Sequence, residues 1–208
     1  MNITAQMVKE LREMTGVGPL ECKKALEQFD GDMAKAADFL REKGLAKAAK
    51  RAGRATNEGI VHIYQHHNHR LGVMVELNCE TDFVANTDKF GQLAHDIALQ
   101  VANLNPQYIS REEVSEAVIE AERDLQRRRA LDEGKPENVV DKIVDGRMGK
   151  FYEEIVLLEQ PFIKDDGVTI QDLLKQAIAD LGENITIGRI ARFAVGEVQD
   201  EEEDAQDE

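Results

Sequence analysis

Between residues 71 and 101 the spacing of apolar side chains changes from two to about 3.6, so this stretch must leave a half-buried strand and enter a helix within a few residues. Leu71, Val73, Val75, Leu77 and Cys79 alternate with Glu76 and Asn78 pointing the other way, as a strand with one face in a core requires. The alternation stops at Thr81-Asp82, and Phe90, Leu93, Ile97 and Val101 then recur along one helical face. Between the two patterns lies a polar turn, Glu80-Thr81-Asp82-Phe83-Val84-Ala85-Asn86, with one aromatic ring in it. An aromatic residue at a strand end ordinarily turns inward. Here Leu77, Cys79 and Val84 suffice for the interior and the neighbours are polar, which leaves Phe83 available to a partner. Both orientations stay open on the spacing alone.

The N-terminal part predicts three short helices joined by glycine turns. Thr4 caps the first, with Met7, Val8, Leu11 and Met14 on its apolar side, and Gly16 and Gly18 break it. Pro19 suits a helix first turn, and Leu20, Cys22, Ala25, Leu26 and Phe29 follow at mixed helical spacing. Asp32 caps a third helix carrying Met33, Ala36, Ala37, Phe39 and Leu40, which Gly44 is expected to close. Residues 41–54 hold six bases and one acid among alanines. They read either as a solvated connector or as a contact for an acidic partner surface.

From Gly59 a hairpin is expected: Val61 and Ile63 alternate with His62 and Tyr64, the turn falls near Asn68, and the strand over 71–79 returns. After the helix near 88–103, Ser110 caps a long helix to Leu131, and Gly134 and Pro136 separate it from another over about 137–158. Two helices so joined pack antiparallel. Asp165-Asp166-Gly167 marks a turn, Thr169 starts an amphipathic helix ended by Gly182, and Ile185 to Val195 suggest a last strand, kinked near Gly188 where its alternation slips. Residues 197–208 contain eight acids and almost nothing apolar, the composition of a disordered tail. The fold class is therefore α+β: a three-helix unit with its basic linker over 1–54, a core with a small antiparallel sheet over 55–196 that includes a helical hairpin at 111–158, and the tail.

Several function classes lose support from composition. With 208 residues, 42% hydrophobic and 32% charged, the chain is an ordinary globular sequence. No run is long and apolar enough for a membrane span, and the first residues lack the features of a secretory signal, so a cytoplasmic protein is expected. Cys22 and Cys79 stand far apart without Cys-x-x-Cys spacing, which indicates neither disulfide nor zinc site. The net charge of −15 is uneven, since residues 1–54 carry eleven bases against eight acids. An acidic main body is unsuited to wrapping a phosphate backbone, so no direct nucleic-acid contact is expected.

Little in the chain carries chemistry of its own. His62, His66, His67 and His69 crowd one hairpin, yet no Cys or acid completes a set of metal ligands, and no metal or cofactor is expected. Glu80 and Asp82 leave a strand end on one face, where solvent keeps both ionised, and no nucleophile accompanies them. Neither a phosphate-binding Gly-x-x-x-x-Gly-Lys-Ser/Thr loop nor a Gly-x-Ser-x-Gly elbow occurs. The chain is not expected to be an enzyme and has no catalytic candidates.

Asn78-Cys79-Glu80-Thr81-Asp82-Phe83-Val84-Ala85-Asn86 resembles the signature of the elongation factor Ts family, the exchange factors that release GDP from the translational GTPase elongation factor Tu. A second block of that family, Leu11 to Leu26, and a third, Gly146-Arg147-Met148-Gly149-Lys150-Phe151 followed by Gln160-Pro161-Phe162, lie in the same order. The resemblance implies a ubiquitin-associated-like fold for the three helices and elongation factor Tu as the partner. It also implies that Asp82 and Phe83, within the segment Thr81-Asp82-Phe83-Val84, approach that GTPase near its magnesium site. It sets Leu20, with Arg12 and Lys23, against the GTP-binding domain. Many relatives have two methionines where this chain has Pro19-Leu20. Longer members carry a duplicated core, whereas this chain has room for one half, so the resemblance also implies a homodimer. The alternative function is a noncatalytic adapter that docks a partner through the three-helix unit.

Overall fold

The computed structural model describes residues 3–197; the expected tail, apart from Glu197, lies outside them. Helix α1 (Ala5–Thr15) starts at Thr4, whose side chain accepts the Met7 amide, and ends at Gly16 in the left-handed conformation. Helix α2 (Pro19–Gln28) has proline at its first position, where a missing N–H costs nothing. Helix α3 (Met33–Ala49) is capped by Asp32. Leu11, Cys22, Ala25, Leu26, Ala36 and Leu40 form a small buried core among the three. Met14, expected on the inner side of α1, is exposed instead.

Gly44 does not end α3, which continues through the first half of the basic segment to Ala49. The reason is tertiary. A Cβ at position 44 would lie 3.2 Å from the Cβ of Ala179, so glycine lets helix α8 (Ile170–Leu181) pack close, and that packing offsets the roughly 1 kcal/mol a helical glycine costs. Ala48 is buried in the main core and Arg51 donates to the Ile178 carbonyl at 3.2 Å. The first part of residues 41–54 is thus a packed helix and not a solvated connector.

Strands β1 (Glu58–Gln65) and β2 (Leu71–Cys79) form an antiparallel hairpin. At its tip Asn68 Oδ1 accepts the Arg70 amide, and His69 takes the left-handed conformation. Strand β5 (Ile185–Ala194) pairs antiparallel with β2 on the other side, giving the order β1-β2-β5. The register slips between Glu76↔Arg189 and Leu77↔Ile187, leaving Gly188 in a bulge. A Cβ there would come within 2.9 Å of the Glu76 carboxyl carbon, so a larger residue would displace the ends of the Glu76 and Asn78 side chains that glycine leaves in place.

One face of this sheet holds Val73, Val75, Leu77, Cys79, Ile185 and Ile187. Helix α5 (Asp88–Leu104) covers it with Phe90, Leu93, Ala94, Ile97, Ala98 and Val101, and α8 adds Ile170, Leu174 and Ile178. On β1 it is Ile60, His62 and Tyr64 that turn toward this layer, while Val61 and Ile63 stand exposed on the opposite face.

Helices α6 (Glu116–Asp132) and α7 (Glu137–Ile155) form the expected hairpin around Ala130, Val140, Val144 and Met148. Ser110 does not cap α6. It precedes a short 3-10 turn at Arg111–Glu113, and Ser115 caps the helix by accepting the Val118 amide, because buried Val114 breaks the run inward. Asp165-Asp166-Gly167 is likewise not a turn. Those residues belong to β4 (Asp165–Thr169), paired with β3 (Pro161–Phe162), and the reversal falls at residues 163–164. Among the described residues no helix is long and apolar enough to cross a membrane.

Candidate functional site

After Cys79 the chain passes Glu80 and Thr81 and enters α4 (Asp82–Ala85), a single helical turn. Its register decides what is presented. Ala85 is buried and Val84 packs partly against the core, whereas Asp82 is exposed and Phe83 is 84% exposed. Of the two orientations open to Phe83, the outward one is found.

A single turn of helix is unstable alone, and here three strand ends hold it. The Glu183 carboxylate accepts the amides of Glu80 at 3.1 Å and Thr81 at 3.0 Å, and its other oxygen accepts the Thr81 hydroxyl at 2.7 Å. In return Glu80 accepts the Asn184 amide at 2.7 Å and lies 3.4 Å from the Arg54 guanidinium. Asn184, itself buried, donates its side-chain N–H to the Arg54 carbonyl at 2.8 Å. Beneath them the Cys79 thiol donates to the Thr81 carbonyl at 3.1 Å. Burial, and then the negative charge of Glu183, push that thiol's pKa up, so it stays protonated and unreactive.

On the C-terminal side, Thr87 takes the Val84 carbonyl with its hydroxyl at 2.8 Å while accepting the Phe90 amide to cap α5. Asn86 closes the turn through the Asp82 carbonyl at 2.8 Å. Both ends of the ring's mount are therefore fixed. Glu80 serves this clasp and is no general acid or base beside Asp82. Glu183, Asn184 and Arg54 escape a reading by apolar spacing; the one signal for the first two is a carboxylate and an amide set directly between the terminating Gly182 and an apolar strand, and Arg54 has none.

A second surface lies between α1 and α2. Arg12, Leu20 and Lys23 line one groove of about 620 Å³ with Ile3, Val8 and Pro19. Leu20 is 65% exposed, so this leucine adds nothing to the unit's own core. Lys23 pairs loosely with Glu27 at 3.6 Å, an exposed contact that is easily exchanged for another. The three residues singled out in the sequence thus share one apolar, positively rimmed patch.

The hairpin histidines divide. His62 Nε2 and His95 Nδ1 are 3.2 Å apart between β1 and α5, while His66 meets the Tyr64 hydroxyl at 2.8 Å. Among the described residues no group of three or more His, Cys, Asp or Glu is placed to hold a metal ion.

Comparison with known proteins agrees with these features. The family described as Elongation factor TS matches residues 2–197. The chain is 60% identical over 195 residues to Elongation factor Ts of Thermoanaerobacter sp. (strain X514), covering 94% of this chain and 96% of the relative. It is 58% identical over 195 residues to Elongation factor Ts of Carboxydothermus hydrogenoformans, covering 94% and 90%. Elongation factor Ts of Maridesulfovibrio salexigens matches at 55% over 206 residues, covering 99% and 100%. With a signature turn held outward and a match along nearly the whole chain, this chain belongs to the elongation factor Ts family: it is a translation elongation factor and not a catalytic enzyme.

Proposed function

We propose that the chain is a cytoplasmic guanine nucleotide exchange factor for elongation factor Tu. Its Thr81-Asp82-Phe83-Val84 turn enters the GTPase near the magnesium site, and its α1–α2 groove, with Arg12, Leu20 and Lys23, anchors the GTP-binding domain through a ubiquitin-associated-like unit. The observation that carries this reading is the 84% exposure of a phenylalanine ring on a doubly anchored single turn. Exposing such a ring forgoes about 1.5–3 kcal/mol of burial in the free protein, and a partner that encloses it recovers that.

The energetics require both surfaces. A GTPase of this class holds its nucleotide through backbone amides around the phosphates and a magnesium ion bridging phosphate to protein. An exchange factor must bind the nucleotide-free state more tightly than the loaded one, and the preference is reciprocal: nucleotide weakens the factor by the same ratio. Accelerating release about ten-thousandfold means lowering a barrier by about 5.5 kcal/mol. One ring falls short once ordering and desolvation are charged against it. Anchoring by Leu20 supplies affinity in every state, while Phe83 and the Asp82 carboxylate act where the ion's ligands must loosen.

Release of labelled GDP from elongation factor Tu tests the reading. Phe83→Ala is expected to slow it at least tenfold with a native circular dichroism spectrum, and Leu20→Ala to weaken complex formation chiefly. If Phe83→Ala releases GDP as fast as the parent chain, the turn has no part in exchange. The adapter alternative predicts an affinity for its target that ignores GDP, and a titration with and without nucleotide separates the two.

The proposal includes a homodimer. What supports it is the outer face of the sheet, where Val61, Ile63, Met74, Phe193 and Val195 are all exposed. Pairing of Ile63 with Met74 and of Met74 with Ala191 makes a continuous apolar row across all three strands, a surface suited to a second copy. Neither nucleic acid nor membrane enters this reading.

A further inference from the structure

We infer that Glu183 is a positioning residue for exchange: its carboxylate fixes the turn that presents Asp82 and Phe83, and the rate of GDP release depends on it although it need not touch the GTPase. The inference rests on the proposal above that the Thr81-Asp82-Phe83-Val84 turn enters the GTPase, with the Phe83 ring as its wedge.

Thr81 occupies the N-cap position of α4, yet its side chain makes no capping bond to that helix. Its hydroxyl is committed to Glu183 at 2.7 Å, alongside the amides of residues 80 and 81. The turn is thus held by a contact from more than a hundred residues away along the chain and not by its own capping. Three donors on one ionised carboxylate are charge-assisted bonds, about twice as strong as neutral ones. Phe83 lies two residues beyond Thr81, so the Thr81 peptide sets its direction. A ring already aimed costs little ordering when it docks, whereas misplacement by about 1 Å can cost on the order of a hundredfold in rate.

Glu183 also follows α8, which bears the N-terminal unit through Gly44 against Ala179 and Arg51 on the Ile178 carbonyl. Glu80 and Asn184 repeat the link in the opposite sense. One helix end thereby fixes the wedge relative to the α3 segment that leads from the anchoring groove. Glu183 is half-buried, and it is the acceptor common to every polar bond that Thr81 donates.

The experiment compares Glu183→Ala, Glu183→Gln and Phe83→Ala in the full chain. It measures GDP release from elongation factor Tu over a range of factor concentrations, amide hydrogen exchange at residues 80 and 81, and thermal unfolding. Glu183→Ala is expected to speed exchange of those two amides and to lower the maximal release rate at least tenfold, with the half-saturating concentration changed less than about threefold. Glu183→Gln keeps acceptor oxygen and shape, and is expected to recover part of the rate. Should Glu183→Ala not fold, Thr81→Val removes one donor only and is expected to show the same split to a smaller degree. Faster amide exchange with an unchanged maximal rate, while Phe83→Ala is slow, overturns the role of Glu183 and leaves the wedge standing. A Phe83→Ala chain as fast as the parent removes the wedge, and the positioning role with it.

Discussion

Gln100 lies fully buried on α5 among apolar neighbours, yet its amide is satisfied: Nε2 donates to Gln160 Oε1 and to the Pro161 carbonyl, both at 3.1 Å, and Oε1 accepts the Ile163 amide at 3.0 Å. Gln160 in turn donates to the Glu154 carbonyl at 3.0 Å. The pair ties α5 to the end of α7 and the start of β3. Gln100→Leu keeps the volume but strands these three partners, and with each group left without a bond costing about 1–3 kcal/mol, urea denaturation is expected to show a loss of at least about 3 kcal/mol. Phe83→Ala is the opposite case. Its ring contacts mostly solvent, so the same measurement is expected to place it within about 0.5 kcal/mol of the parent. A large loss there would mean that the ring serves this chain's own fold.

At the scale of elements, the periodicities of β2, α5 and α8 were legible because each faces one core on one side. β1 was not, since it carries apolar residues outward and His62 and Tyr64 inward, the reverse of what hydropathy alone suggests. The extension of α3 past Gly44 was hidden for a related reason: only Ala179 on a distant helix explains a helical glycine there. Residues 77–84 left the direction of Phe83 open, because a strand-end aromatic can turn either way, and the clasp of Arg54, Glu80, Glu183 and Asn184 joins segments with no shared period. The inward histidine has a measurable consequence. Burial, and then the neighbouring His95, lower the His62 pKa below its ordinary value. A group whose pKa is depressed on folding takes up protons more readily when unfolded, so its neutral form favours the fold above the usual histidine pKa of about 6.5, and stability falls as pH drops through and below it. Urea midpoints are expected to fall between pH 7.5 and 5.5 for the parent chain and to fall less for His62→Gln, which cannot charge. The carboxylates held low by ion pairs, such as Glu76 beside Arg189, lose their contribution only at lower pH and leave this window clear.

For the whole molecule, the arrangement of surfaces bears on assembly. The apolar row of Val61, Ile63, Met74 and Phe193 lies on the sheet face opposite the core layer, while Phe83 projects from the turn beyond the end of β2. A second copy seated on the row by a two-fold axis would bury like against like. The Glu76–Arg189 pair at its border, 2.6 Å apart with Arg189 largely exposed, offers a charge of each sign to the same pair in the other copy. Ile63, 68% exposed, is the point to probe. Ile63→Asp adds little strain to the free chain, but a dimer would have to bury one carboxylate from each copy. At about 2 kcal/mol or more for each unsatisfied polar group, counted twice by symmetry, the dissociation constant is expected to rise about a thousandfold. Light scattering is expected to give twice the chain mass for the parent and the single-chain mass for Ile63→Asp. Leu104→Asp, at an exposed leucine ending α5, serves as the control and is expected to stay dimeric. A parent chain that scatters as a monomer at every concentration removes the sheet face from assembly. A dimer unaffected by Ile63→Asp moves the interface to another surface. In the monomeric variant Phe83 and the groove beside Leu20 remain on one chain, so its GDP release, measured alongside, reports whether exchange needs one copy or two.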